Sequence, residues 1–536
     1  MEVLKDAWKF ESGRRLLPYD LFKWWGRRPA LLVTSLLIDA IGADRSTLEN
    51  VTKARLNYKY VDVLNNLTVC DPMCGGGTTA IEALFLGAKE VICSDINFAS
   101  AVVVNAMIKV IEYCSDIFST FASILREVYE ELKDLWCFDE YCYVHTFLTR
   151  ECDNYYCYTR KWVGTFRAKG DIVKVTINEN GEFSNNNSVS VNDIVKLPKD
   201  KLVEVSKNVY AYAAELYRAD KSVKRVFVSL IKDKYVAEHL MRAQEKASKL
   251  LPATCTAIVN GRETRRLFKE GITCWEQLFT PRQLLTLKRF LELVYEKRKD
   301  LIDVAVALIG TVIRTTSMLA FYYQPYAKVN PGLVIKSFWV PRHPVELNPI
   351  AGDITKMKTI GRGTIFTYLR KFKKVCDKLE EFNDKYMCNK IKVFTEDAFK
   401  LDYSGCDIVI LDPPYPGKMA YDELTQIYTL PYRLIGMNVP LISNEAIDIY
   451  DLNKYTVALE QLITTILNQS QKATIYLLMS DDKKGRNIYE KLMDILLRQD
   501  IEVKSLDNVI GEAPGVLGRS KTRRILIMKI ARAHNA

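Results

Sequence analysis

Two segments of this chain, more than three hundred residues apart, share one grammar: an apolar strand runs straight into a turn built from glycine or proline. The first, Leu67 to Gly77, reads LTVCDPMCGGG, and the second, Cys406 to Tyr415, reads CDIVILDPPY. Short apolar runs stopped by such residues read as buried strands. Further strands, VICSD (Val91 to Asp95), KVFTED (Lys392 to Asp397), ATIYLLM and RILIMKI, alternate with helices around Leu459 to Gln469 and Asn487 to Arg498. Alternation of that kind predicts an α/β domain with a parallel sheet. The stretch between Asp95 and Lys392 has a different texture, so the sheet is expected to be split by a large mixed insertion.

At 536 residues the chain is too long for one core. The expected division is 1–110 and 346–536 for the two parts of the α/β domain and 111–345 for the insertion. Within the insertion, Met107 to Leu135 has helical apolar spacing, Tyr141 to Val163 is rich in Cys and Tyr, and Asp171 to Phe183 alternates like a hairpin around Asn180-Gly181. Residues 202–250 and 280–320 read as amphipathic helices with basic faces. The net charge of +11 favours a polyanionic partner. Arg282 and the basic stretches Lys221 to Arg242 and Lys288 to Lys299 are the expected phosphate contacts.

The N-terminus MEVLKDAWKFESGRR lacks the apolar core of a secretory signal, and no run of about 18 uncharged apolar residues occurs. The expectation is a cytoplasmic protein without a membrane. In a reducing compartment, the thirteen cysteines are expected to be core thiols or metal ligands before disulfides; a hyperthermophilic source would permit disulfides.

A nucleoside ligand on such a sheet sits beyond the carboxyl ends of the strands, where a glycine turn lets the backbone approach it. Asp71, Pro72, Cys74, Gly75, Gly76, Gly77 and Thr78 fit that place, with a helix starting directly after them. Eighteen residues past Gly77, the strand VICSD ends in Asp95, a carboxylate suited to two ribose hydroxyls. A nicotinamide or flavin fingerprint would read GxGxxG, which this loop does not. Asp397 and Ala398 follow the next strand, where Asp397 suits an adenine amino group.

Asp412, Pro413, Pro414 and Tyr415 close the strand DIVIL and carry the most specific chemistry. An aromatic amino nitrogen is a poor nucleophile until it pyramidalises. Hydrogen bonds to the Asp412 carboxylate and the Pro413 carbonyl favour that geometry and the developing positive charge. The prolines fix the turn, and Tyr415 offers a ring face on which an extruded base can stack.

With these residues the sequence resembles the amino-methyltransferases of DNA, and more narrowly the adenine-specific DNA methylases described as containing a zinc ribbon. The motifs that carry the resemblance are Phe22 to Pro29 (FKWWGRRP), the DPMCGGGT loop, Gln277 to Leu284 (QLFTPRQL) and the DPPY turn. It implies a Rossmann-like sheet that binds S-adenosylmethionine, with Asp71 near the methionine ammonium and Lys23 and Trp24 closing the pocket. It also implies methylation of adenine N6 in double-stranded DNA carrying a flipped adenine. The motif order resembles the alpha arrangement of these enzymes, except that the insertion precedes Asp397 instead of adjoining DPPY. An RNA base, or a nucleic-acid-binding protein on an inactive scaffold, are the alternative readings. Cys137, Cys142, Cys152 and Cys157, with His145 as a substitute, form the only zinc candidate; their gaps of four, nine and four residues depart from paired CxxC, and no metal ligand is assigned.

Overall fold

The computed structural model describes residues 16–168, 171–218, 225–333, 337–353, 358–379, 390–417, 419–439, 448–499, 501–514 and 520–533. Residues 1–15 and Lys221 lie outside them. The chain forms two compact units, one of Met1–Cys114, Lys374–Thr425 and Pro440–Ala536, the other of Ser115–Lys373 and Gln426–Val439.

The first unit is built on a seven-stranded sheet: β1 (Thr68–Asp71), β2 (Glu90–Ser94), β3 (Ile391–Phe394), β4 (Ile408–Leu411), β5 (Thr474–Ser480), β6 (Ile501–Pro514) and β7 (Ser520–Arg532). Their spatial order is β3-β2-β1-β4-β5-β7-β6. The first five run parallel, and β7 is antiparallel to both its neighbours. Every residue of β1 and β4 is buried. Alternate strand residues enter different cores, because side chains along a strand point to opposite faces. Val69, Ile408, Ile410, Tyr476 and Leu478 join the helices α1 (Ala30–Ala40) and α3 (Thr78–Phe85), with Val51 of α2 (Arg45–Leu56). Cys70, Val409, Leu411, Leu477 and Met479 meet the helices Leu452–Gln469 and Lys483–Leu497. Helices therefore cover both faces, the arrangement a parallel sheet requires.

β1 and β4 pair directly, with Cys70 opposite Val409. A disulfide between Cys70 and Cys406 adds a covalent tie across a sequence separation of 336. The expectation of free thiols fails here: ten cysteines form five disulfides among the described residues, and Cys114–Cys376 joins the two ends of the insertion. Cys137 bonds Cys142 and Cys152 bonds Cys157, which uses the sulfurs considered for zinc. His145 faces Glu215 instead, with Nδ1 2.6 Å from Oε2.

The second unit is organised around an antiparallel sheet in which Tyr141–Thr149 and Val209–Arg218 lie side by side. Residues 202–250 are not mainly helical; they form strands at Val203–Ser206, Val209–Arg218 and Arg225–Ser229 before the helix Lys234–Leu250 begins. The run VYAYAAELYR is buried along nearly its whole length, and a strand covered on both faces has no polar alternation to betray it. The hairpin around Asn180-Gly181 is present, with Gly181 at φ +77°. The insertion extends past residue 345, because Val345–Leu347 adds to the edge of this sheet.

Arg282 does not face solvent: it is 0% exposed, and Glu346, also 0% exposed, holds its guanidinium. On the same helix, Pro281–Lys297, Lys288 pairs with Glu292, Arg289 with Glu131 and Lys297 with Glu127. The basic face is a web of ion pairs. Among the described residues one helix, Phe98–Trp136, is long and apolar enough to cross a membrane, but 67% of its most apolar window is buried in the fold.

In the first unit, Glu82 of α3 is fully buried and ionised. Arg55 donates to it through Nε at 2.8 Å and Nη2 at 2.7 Å, Tyr19 at 2.6 Å and Thr34 at 2.8 Å. Glu82→Gln should strand the Arg55 charge and cost about 3–5 kcal/mol of stability in denaturant titrations. The double change Glu82→Leu with Arg55→Met should cost much less than Glu82→Gln alone, because no charge is left buried.

Candidate functional site

The order of the sheet reverses at β1: β2 and β3 lie on one side of it, β4 and β5 on the other. Connections leaving the carboxyl ends of β1 and β4 diverge to opposite sides, the place where sheets of this kind seat a ligand in a crevice. Asp71 ends β1 and Asp412 directly follows β4, so the two turns singled out in the sequence meet at this crevice.

The glycine turn is tightly folded. Gly75 has φ +47° and Gly77 φ +72°, conformations that favour glycine. A methyl group on Gly75 would stand 2.8 Å from Trp24 Nε1, and one on Gly76 2.8 Å from Arg27 Cζ. The glycines thus admit this chain's own N-terminal segment, a role beyond room for a ligand. Replacing Gly75 with a bulky residue would strain the turn and press on Trp24. Trp24 is buried and stacks on Tyr421 at 6.0 Å. Lys23 lies with Nζ 5.5 Å over the Trp25 ring. Pro72 and Thr78 are buried at either end of the turn. Cys74 places its sulfur 3.4 Å from Ser100 Oγ, and burial pushes its thiol up.

Asp95 fastens this turn to β2. Its Oδ2 accepts from the Gly75 N–H at 2.8 Å and its Oδ1 from the Asn97 N–H at 2.9 Å. Burial pushes its pKa up to about 6, against the pull of those two donors. The Ser100 hydroxyl also reaches this carboxylate, whose two oxygens together offer about four acceptor sites, so acceptor capacity remains for a ligand hydroxyl. Asp397 caps the short turn Ala398–Lys400, accepting from the Phe399 N–H at 3.0 Å, while the Ala398 carbonyl accepts from Tyr403 Oη at 2.7 Å.

The second turn holds a feature that sequence reading missed. Arg28 donates to both oxygens of Asp412, Nε to Oδ2 and Nη2 to Oδ1, each at 2.6 Å. Its guanidinium also lies 4.5 Å from the centre of the Tyr415 ring. Arg28 stands within FKWWGRRP, but nothing local marks which of two adjacent arginines reaches a turn 384 residues away. Burial pushes the Tyr415 hydroxyl far up, so its ring stays neutral. The Pro414 carbonyl accepts from Tyr455 Oη at 3.1 Å, which braces the turn from behind. Pro413 is buried between Asp412 and Pro414.

Asp71 is buried, and burial pushes its pKa up to about 7, with the charge of Asp412 adding to the rise. No family model, curated protein or solved structure matches the chain.

The raised pKa of Asp71 has a measurable consequence. An unfolded aspartate ionises near ~3.9, so up to about 7 the folded protein holds a proton that the unfolded chain has released. The stability from this group is whole below the lower value and is lost as pH rises through the upper one. Asp71→Asn should therefore gain stability over wild type as pH climbs from about 4 to about 7, then hold a constant margin. Thermal unfolding across that range checks it; a pH-independent difference would contradict the assignment.

Proposed function

We propose that this chain is an S-adenosylmethionine-dependent methyltransferase that acts on the exocyclic amino group of a nucleobase, adenine N6 in DNA. The observation that carries the reading is the convergence of Asp71, the glycine turn and Asp95 with the DPPY turn at the carboxyl ends of adjacent strands. Helices on both faces of the sheet, and a strand order that reverses at β1, support a Rossmann-like methyltransferase fold.

The donor set fits the cofactor. Asp71, held in a dry position, suits the methionine ammonium; Asp95 retains acceptor capacity for ribose hydroxyls; Asp397 suits the adenine amino group; and Trp24 supplies an aromatic wall beside the glycine turn. S-adenosylmethionine supplies an electrophilic methyl group on a sulfonium centre.

The protein's own part is to make the amino nitrogen a nucleophile. Asp412 accepts one amino hydrogen and the Pro413 carbonyl the other, which pulls the nitrogen out of conjugation with the ring. Tyr415 holds the base by its face and its neutral hydroxyl transfers no proton; the proton that the amino nitrogen sheds on methylation leaves through the Asp412 carboxylate to solvent. The net charge of +11 suits a DNA duplex from which the adenine is extruded.

Mass-spectrometric analysis of nucleosides from DNA and RNA incubated with the protein and cofactor tests the reaction and its substrate class; N6-methyladenine in DNA is the expected product. Asp412→Ala should lower transfer by roughly 10²–10³ with cofactor affinity unchanged, since the group acts on the acceptor. Tyr415→Phe should retain substantial activity and Tyr415→Ala should lose it. Normal turnover by Asp412→Ala would overturn the reading.

A further inference from the structure

The reactive turn is already occupied by a group of this chain's own. Arg28 engages both oxygens of Asp412 and covers the Tyr415 ring, the two features that an amino-bearing base would use. A carboxylate neutralised by a guanidinium is a weaker stabiliser of developing positive charge. A ring face covered at 4.5 Å has no room for a base on that side. Yet the pair is not sealed into the core: the Arg28 and Asp412 side chains remain 20% and 22% exposed.

The backbone around Arg28 is set while its side chain is long. Gly26, at φ +71°, turns the chain beside Tyr421, and Pro29 leads directly into α1. Arg28's carbonyl accepts from Thr78 Oγ1 at 3.5 Å, next to the glycine turn. The guanidinium can thus exchange partners without moving the main chain. A phosphodiester matches a planar guanidinium fork as well as a carboxylate does, so replacing one with the other keeps two charge-assisted hydrogen bonds.

We propose that Arg28 is a substrate-displaced latch: it fills the base seat between Asp412 and Tyr415 in the free protein and swings onto a backbone phosphate of the nucleic acid when the target base enters. This inference rests on the proposed reaction. It assigns Arg28 as a positioning residue that ties entry of the base to the presence of a phosphate. A free base or nucleoside, lacking the phosphate, would have to open the latch unaided. If the seat is open only about a tenth of the time, free-base affinity falls about tenfold.

The test uses the full chain with two probes, adenosine followed by calorimetry and an adenine-containing DNA duplex titrated across a salt series. Arg28→Lys keeps a charge for phosphate but cannot clamp both carboxylate oxygens. It should bind the nucleoside about tenfold more tightly while keeping the salt slope of duplex binding. Arg28→Gln should also bind the nucleoside more tightly, and should lower the salt slope by about one. Tyr415→Ala in the Arg28→Lys background should remove the gain, which ties it to the seat. Weaker nucleoside binding in both variants would make Arg28 part of the seat, and an unchanged salt slope in Arg28→Gln would remove the phosphate; either result overturns the latch. Wild-type methylation of the duplex would still stand in those cases. If the wild type binds neither probe, the proposed reaction fails, and the latch with it.

Discussion

The geometry at the crevice depends on one buried carboxylate. Glu82 sits on the helix that leaves the glycine turn, and the groups that satisfy it come from the N-terminal segment: Tyr19, Thr34 and Arg55. A charge without water demands fixed partners, and these three come from separate parts of that segment. The segment between Tyr19 and α1 is therefore held against α3, which sets Trp24 over Gly75 and brings Arg28 to Asp412. Such an ion pair is better at selecting an arrangement than at adding net stability.

That dependence explains what the sequence made legible. β1, β4 and their turns could be read because each is a local pattern: an apolar run, then residues with restricted backbone freedom. Asp95 could be read from its spacing after the glycines. The partner of Asp412 could not, since an arginine carries no sign of what it will reach. Arg282 was read as a phosphate contact because charge on a helix is usually solvated, whereas Glu346 draws it fully inside. Val209–Arg218 passed for helix because a strand buried on both faces loses its alternation. Free thiols were expected because a reducing compartment was expected, and partners such as Cys70 and Cys406, 336 residues apart, meet only through the pairing of two strands.

The crevice collects three carboxylates, Asp71, Asp95 and Asp412, on neighbouring strand ends. Asp412 and Asp95 both raise the cost of ionising Asp71, and burial raises it further. Backbone N–H groups offset part of the burial cost at Asp95, while Asp412 is held by the Arg28 guanidinium. A cationic group entering beside Asp71 would favour its ionised form, against the burial that now opposes it.

The Cys114–Cys376 bond encloses nearly the whole inserted unit in a covalent ring. A cut in the backbone anywhere between these cysteines would leave the flanking pieces joined, and the Cys70–Cys406 bond would hold β1 to β4 regardless. The insertion can then lengthen or change its surface over time at little entropic cost to the sheet, because its closure is fixed by a bond and not by contacts that each added residue would dilute.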